Sequence, residues 1–329
     1  MENACNNQRI QYFDCARGIA MILVVASHIW AFTDIRYILF ATTHNPTFFL
    51  VSGCLLVGSL TNKNRGGVLL KKAESLLIPY VVWVCILGSI STLSDHSYII
   101  GNLIVAAKEL WFFPTLFMFE AILILFVEVF KKKKSVTGLG LILLLMACFI
   151  AVKQASIARR LFFFGLVVLG YCTQKYTEKT RMMFGSVSAV LYILFMFVAG
   201  RKNYFTSADN LTPGYKLIFV FGLSFLGACT ILLLSKCLAK TQFCGFLCLV
   251  GKNTLYIYVL HYAVLKILNS LLTNKYCLLF ICVVVPIIIQ YFIKGTLIDN
   301  LLFKPYIVCH EMLVGLKTVS YTHLRAHET

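Results

Sequence analysis

The chain has 329 residues, of which 60% are apolar and only 13% are charged, and its formal net charge is +17. Soluble domains carry about a quarter charged residues, so this composition excludes an ordinary soluble protein and favours one embedded in a lipid bilayer. The basic residues stand in short clusters between apolar runs. Such clusters indicate membrane topology and lipid-headgroup contact, and they argue against a nucleic-acid partner.

The apolar runs predict an all-α fold, a polytopic transmembrane helix bundle of about ten spans. The predicted spans are 13–33, 39–60, 75–93, 110–130, 137–152, 161–173, 183–200, 216–235, 246–268 and 277–293. The segment 96–107 is apolar but too short to span, which suggests a re-entrant or interfacial piece.

The distribution of Lys and Arg predicts that the N- and C-termini are both cytoplasmic. The run Lys131 to Lys134, after the fourth span, is the strongest single indication. We expect residues 1–12 to form a cytoplasmic leader, 13–310 the transmembrane domain and 311–329 a tail. The end of that tail, "KTVSYTHLRAHET", resembles a foreign appendage.

The thirteen cysteines lie mostly inside apolar runs, and none forms the CxxC pair of a zinc site. Cys244 and Cys248 are one position too far apart for that spacing. Buried cysteines behave as small hydrophobic residues. We therefore expect reduced, structural thiols, with neither disulfides nor a bound metal.

The first span, "YFDCARGIAMILVVASHIW", carries Arg17 and His28. Eleven residues of α-helix return to nearly the same face and rise about 16 Å, so both side chains are expected on one stripe. Asp14 lies three residues before Arg17 and can orient it. The alternative is that Arg17 snorkels to lipid headgroups and that His28 makes a structural interhelical hydrogen bond.

Other spans place polar side chains at the depth of His28. The second span reads "THNPTFFLVSG" and brings His44 there, Pro46 can break its helix, and the later span with "GKNTLYIYVLHY" brings His261. Ionisable groups inside a membrane are costly and usually face a cavity or a partner. A polar chamber is therefore predicted, with lining candidates His44, Phe48, Phe49, Ser52, Gly53, Glu109, Trp111, Glu120, Asn253 and His261.

Some of these candidates have simpler interpretations. Ser52 and Gly53 are typical of close helix packing. Trp111 suits an aromatic anchor at the outer interface. Glu109 can be a surface carboxylate, but Glu120 lies in the middle of its span and is not easily explained in this way.

Six segments in order resemble the integral-membrane acyltransferase-3 family: "YFDCARGIAMILVVASH", "THNPTFFLVSGCLL", "LLIPY", "ELWFFPTLF", "FFFGLVVLGY" and "GKNTLYIYVLH". The resemblance covers about 12–300, and the fucose 4-O-acetylase-like branch is the most similar. It implies a transmembrane acyltransferase domain over 13–310 and a bacterial cytoplasmic membrane as its location.

The resemblance also implies residue roles. The family's Arg and His separated by ten intervening residues match Arg17 and His28, with the His catalytic and the Arg handling the acyl donor. Its FFxxSG motif matches Phe48, Phe49, Ser52 and Gly53, and its aromatic motif matches Trp111 and Phe112. The arginine-rich cytoplasmic segment of many members is replaced by "KKAESLLIPY", where Lys71 and Lys72 lack the guanidinium fork and Glu74 opposes them.

These residues suggest a mechanism. Acyl-CoA, a co-substrate and not a bound cofactor, would have its phosphates held by Arg17, Lys71 and Lys72. Neutral His28 would act as general base on a sugar hydroxyl of a polysaccharide or lipid-linked precursor, or form an acyl-histidine. The acyl group is acetyl by default. Candidate oxyanion donors are Asn253, Ser52, His44 and Trp111.

Two other functions are compatible with the composition. A transporter or flippase of a lipid-linked sugar would also use a polar chamber with histidines, although no repeat relates the two halves of the sequence. A membrane scaffold without activity would tolerate apolar replacement of Arg17 and His28. The sequence leaves the acceptor and the oligomeric state open.

Overall fold

The computed structural model describes residues 2–30, 35–61, 65–95, 98–130, 133–151, 154–173, 177–201, 215–269 and 271–303. Every regular element in these ranges is a helix. The helices are α1 (Glu2–Ile29), α2 (Ile35–Thr61), α3 (Arg65–Asp95), α4 (Ile99–Glu109), α5 (Phe112–Phe130), α6 (Lys133–Ile150), α7 (Ala155–Thr173), α8 (Glu178–Arg201), α9 (Tyr215–Leu238), α10 (Cys244–Lys252), α11 (Thr254–Leu268), α12 (Lys275–Ile293) and α13 (Leu297–Phe303).

Seven described segments are long and apolar enough to cross a membrane, which confirms the predicted all-α, multi-pass fold. They are Gln11–Ile29, Arg65–Leu93, Phe112–Val129, Ala155–Thr173, Glu178–Val198, Leu217–Leu238 and Lys275–Ile293. The other three predicted spans coincide with α2, α6 and α10–α11. Helix α2 contains the polar stretch 42–47, and the apolar parts of α6 and α11 are shorter. The count of ten spans and the sides of the termini stay predictions.

The structure differs from the sequence predictions in several local features. Helix α1 begins at Glu2, ahead of the candidate span Gln11–Ile29, and the leader 1–12 stays a prediction. Pro46 lies inside α2, which is not broken there. Residues 96–107 largely form the short helix α4, and the sequence did not predict α13. The tail 311–329 lies outside the described residues.

The ninth predicted span, 246–268, is divided into α10 and α11 at Asn253. This residue has φ −102° and ψ 19°, and it ends α10 and precedes the first residue of α11. Its backbone N–H bonds back to the carbonyls of Leu249 and Val250, while its side-chain amide donates to the Leu249 carbonyl at 2.9 Å. Asn competes for backbone hydrogen bonds in this way, which explains the break.

The chain divides into two compact units, Met1–Lys63 with Phe119–Ile287 and Asn64–Met118 with Ile288–Thr329. In the first unit, α1 packs against α2, α9, α10 and α11, and α2 also packs against α7 and α9. In the second unit, α3 packs against α4 and α13. There the ring centroids of Trp83 and Phe303 lie 5.3 Å apart, and the buried carboxylate of Asp299 accepts the backbone N–H of Gly295 at 3.0 Å.

Two reciprocal glycine contacts bring helix backbones together in the first unit. A Cβ on Gly18 would overlap the carbonyl oxygen of Leu247, and one on Gly251 would overlap that of Asp14. A Cβ on Gly53 or Gly170 would likewise overlap a backbone carbonyl of the facing helix, in α7 or α2 respectively. Small residues at such crossings allow the close packing that drives helix association in membranes.

Candidate functional site

Two contacts and one electrostatic interaction act on the guanidinium of Arg17. Its Nη2 donates to Thr254 Oγ1 of α11 at 2.8 Å, and its Nη1 lies 3.8 Å from Asp14 Oδ1, one turn earlier in α1. The buried Glu120 of α5 also acts electrostatically on Arg17. The side chain nevertheless keeps 33% of its surface accessible, so the cation is positioned but still able to meet a ligand.

His28 lies within a group of three histidines from three helices. Its ring centroid is 5.2 Å from that of His261 in α11, and it interacts electrostatically with both His44 of α2 and His261. His261 is 4% exposed, whereas His28 is exposed. The exposed ring of His28 therefore lies next to the buried ring of His261.

His44 and His261 are each oriented by a hydrogen bond to the backbone of their own helix. The Nδ1 atoms of His44 and His261 contact the backbone carbonyls four residues earlier, Phe40 and Ile257, the latter at 2.9 Å. A carbonyl oxygen only accepts, so each Nδ1 donates and each Nε2 is the acceptor nitrogen of the neutral ring. The buried Nε2 of His261 has no hydrogen-bond partner among the described residues.

Helix α11 connects the two ends of this site. Arg17 and His28 of α1 meet Thr254 and His261 of α11, which are seven residues, or about 10 Å, apart along that helix. Arg17 and His28 therefore both contact the same neighbouring helix, α11. This juxtaposition of a cation, a hydroxyl and two imidazoles is the candidate active site.

The remaining α2 candidates divide between the site and the core. Phe48 packs against the cluster containing Met21 and Ile257, beside the candidate site. Phe49 is fully buried and stacks on Phe163 of α7, with centroids 4.8 Å apart. Ser52 is half-buried, and Gly53 forms the close contact with α7. The positions of Phe49 and Gly53 are those of packing residues.

The second unit carries Lys71 and Lys72 on α3, Glu109 at the end of α4 and Trp111 between α4 and α5. Their predicted contributions to the donor site and the chamber stay predictions. Asn253, in the first unit, is buried, and its amide N–H already donates to Leu249. An oxyanion would have to compete with that carbonyl, or use the second amide hydrogen.

No group of three or more His, Cys, Asp or Glu side chains in the described part of the chain is arranged to hold a metal ion. Cys244 and Cys248 are buried together with Cys15, with their Sγ atoms 3.5 Å apart. This cluster belongs to the contact between α1 and α10, away from His28 along α1.

The sequence prediction missed Thr254. A threonine inside a predicted span, here 246–268, is unremarkable in isolation, because it usually bonds to its own backbone. The available signal was its spacing of seven residues, two turns, from His261, which repeats the one-face argument made for Arg17 and His28.

A family model described as an acyltransferase domain, that of the acyltransferase-3 family, matches residues 10–294. The search of curated proteins and the search of solved structures found no match. The matched region contains both α1 site residues and their partners on α11. Because this match spans most of the chain, the protein belongs to the acyltransferase-3 family and is a multi-pass membrane acyltransferase.

Proposed function

We propose that the protein transfers an acyl group, acetyl by default, from acyl-CoA to a sugar hydroxyl of a cell-surface polysaccharide or its lipid-linked precursor. The fucose 4-O-acetylase-like branch and the bacterial cytoplasmic membrane belong to the same proposal. The observation that carries it is the pairing of Arg17 with Thr254 and of His28 with His261 along α1 and α11. Arg17 and His28 lie at two positions along the contact between α1 and α11. A long thioester such as acyl-CoA could place its phosphates at the cation and its reacting carbonyl at the imidazole.

The donor end of this contact is Arg17. Asp14 and Thr254 engage the terminal nitrogens of the guanidinium and leave other N–H groups for an anion. Asp14 and Glu120 both act electrostatically on Arg17, and Lys252 acts on Asp14, so the carboxylates offset part of the positive charge. A diphosphate would need additional cations, and Lys71 and Lys72 are the proposed source.

The reacting end is His28. One ring nitrogen takes the proton of the acceptor hydroxyl while that oxygen attacks the thioester carbonyl carbon. The new C–O bond forms as the C–S bond breaks, and the proton passes from the imidazolium to the leaving thiolate. The products are the sugar ester and free CoA.

His261 is a positioning residue in this scheme. Its Nε2 is an acceptor, buried and near the ring of His28. An N–H of His28 donated to that nitrogen would fix the tautomer in which the other His28 nitrogen is the free base. This is the arrangement that a general base needs.

The proposal is tested with membranes that contain the protein, labelled acetyl-CoA and cell-envelope glycans. We expect label in an alkali-labile ester on the glycan, together with release of one free CoA thiol per ester formed. Membranes without the protein, and membranes given labelled acetate without CoA, are the controls. Transfer from a donor other than acyl-CoA would overturn the donor assignment.

We expect Arg17→Gln to raise the KM for acetyl-CoA about tenfold or more, because a charged hydrogen-bonding group contributes about 1.5–3 kcal/mol. The rate at saturating donor should change less than KM. Arg36→Gln is the control, since Arg36 is an exposed arginine whose Nη1 contacts Tyr276 Oη. An unchanged donor KM in Arg17→Gln would remove Arg17 from donor binding.

We expect Thr254→Val to raise the donor KM about fivefold, because it leaves the Nη2 of Arg17 without its 2.8 Å partner at nearly the same volume. Thr254→Ser retains the hydroxyl and should restore most of the affinity. Steady-state kinetics on the same membranes measures both. If the valine and serine variants behave alike, the hydroxyl does not position Arg17.

A further inference from the structure

A cavity lies in the first unit, and it is not lined by the candidate-site residues Arg17, His28, Thr254 or His261. It has a volume of about 430 Å³ and lies among α1, α2, α7, α8 and α9. This volume is within the range of about 300–1,000 Å³ typical of ligand pockets. Its walls are almost entirely apolar, with Phe13, Leu50, Phe184, Phe225 and Leu233 among the lining residues.

The rim of this cavity, called the crevice below, is basic. Lys236 and Arg181 line it. Lys236 forms an ion pair with Glu178 at 2.6 Å, and its Nζ lies 5.6 Å from the centre of the Tyr12 ring. Glu178 also interacts electrostatically with Arg181 and Lys240. Three cations therefore surround one carboxylate, which leaves a net positive charge at the rim.

The crevice is distant from the reacting end of the protein. Tyr12 lines it, and Tyr12 precedes His28 by sixteen residues of continuous helix, a rise of about 24 Å. A ligand with its polar group at Arg181 and Lys236 does not place that group at His28. The occupant is therefore neither the acceptor nor the reacting part of the donor.

The chemistry of the walls also discriminates between ligands. The pantetheine arm of CoA carries two amides, which need hydrogen-bond partners when buried. The hydroxyl of Thr173, one of the few polar groups in the wall, already donates to the Gly170 carbonyl at 2.8 Å. A hydrocarbon chain makes no such demand, so the walls fit a lipid tail.

We propose that this crevice binds one acyl chain of an anionic glycerophospholipid, with the lipid phosphate held at Arg181 and Lys236. Basic side chains near a membrane surface favour anionic lipids, and each contributes about fivefold in affinity. The bound chain would fill the space between α8 and the helices α1, α2, α7 and α9. It is thus a structural lipid of the fold and not a substrate.

The test is native mass spectrometry of the full-length protein extracted from nanodiscs that contain equal amounts of phosphatidylglycerol and phosphatidylcholine. We expect the wild type to retain phosphatidylglycerol at least about fivefold more than phosphatidylcholine. Arg181→Gln and Lys236→Gln should each lower this preference about fivefold. Gly185→Leu, which adds a side chain to the crevice wall facing Leu233, should reduce retention of both lipids.

Two controls separate the lipid site from side effects. Glu178→Gln breaks the same ion pair as Lys236→Gln but makes the rim more positive, so it should preserve or increase the preference. Lys266→Gln removes an exposed cation of α11, which does not line the crevice, and should change nothing. Equal retention of the two lipids by the wild type would overturn the proposal, as would a wild-type preference in both Arg181→Gln and Lys236→Gln.

Discussion

His28→Ala is expected to lower the rate of acetyl transfer by about 100- to 10,000-fold, the range that a positioned general acid or base contributes. The reason is the geometry around the ring. His28 is the most exposed member of the three-histidine group, and its ring centroid lies 5.2 Å from that of His261. His261 also has an acceptor Nε2, but its ring is only 4% exposed, so an acceptor hydroxyl reaches His28 more readily. The measurement is labelled-ester formation at saturating acetyl-CoA, normalised to the amount of protein in the membrane.

His261→Gln is the matched variant for this experiment. A glutamine side chain keeps a hydrogen-bond acceptor but cannot titrate, so we expect a loss of about tenfold, with the donor KM unchanged. If His261 were itself the base, its variant would instead lose as much activity as His28→Ala. A His28→Ala protein with wild-type turnover at equal abundance would refute the assignment of His28 altogether.

The sequence predicted the part of the site that depends on one helix. Helical geometry alone places Arg17, His28 and Asp14 on one face of α1, and the structure shows Arg17 close to Asp14. His28 interacts with both His44 and His261 where α1, α2 and α11 assemble, while the common depth of the three rings in the bilayer stays a prediction. The helical period and the position of a residue along a span can both be read from a single segment of sequence. The fixed thickness of the bilayer relates that position to a depth in the membrane.

The features that depend on a partner helix could not be predicted in this way. Thr254 becomes a ligand of Arg17 only because α10 ends at Asn253 and α11 restarts at the next residue. The sequence prediction treats 246–268 as one continuous helix, so it does not reveal the break at Asn253 that brings Thr254 to Arg17. Phe49 shows the same limit, because its place in the core follows from Phe163, which lies far from it in sequence.

The family match also bears on the competing functions. It identifies an acyltransferase and lends no support to the transporter or flippase alternative. The same match contradicts the scaffold alternative, because a scaffold would have no activity and the family is one of acyltransferases. The acyl group, the acceptor and the donor are what the kinetic experiments have to establish.

Gly251→Ala is expected to destabilise the protein strongly, because the new methyl group would overlap the carbonyl oxygen of Asp14. Backbone atoms cannot rotate away as a flexible side chain can, so α1 and α10 would have to separate. Overpacking usually costs about 1–3 kcal/mol, and we expect a loss at the upper end, or a fall in unfolding temperature on the order of 10 °C. Thermal unfolding in detergent measures this change.

Gly245→Ala is the matched control, since Gly245 belongs to the same helix and an added Cβ there meets nothing within 4 Å. Replacing a helical glycine with alanine without a clash stabilises by about 0.5–1 kcal/mol, so the two variants should shift the unfolding temperature in opposite directions. The clash also displaces Asp14 and the start of α11, and both hold Arg17. Any Gly251→Ala protein that remains folded should therefore show a raised donor KM, whereas Gly245→Ala should not. Equal stability of the two variants would mean that α1 and α10 do not cross at these glycines, and the path from Arg17 to His28 would lose its structural basis.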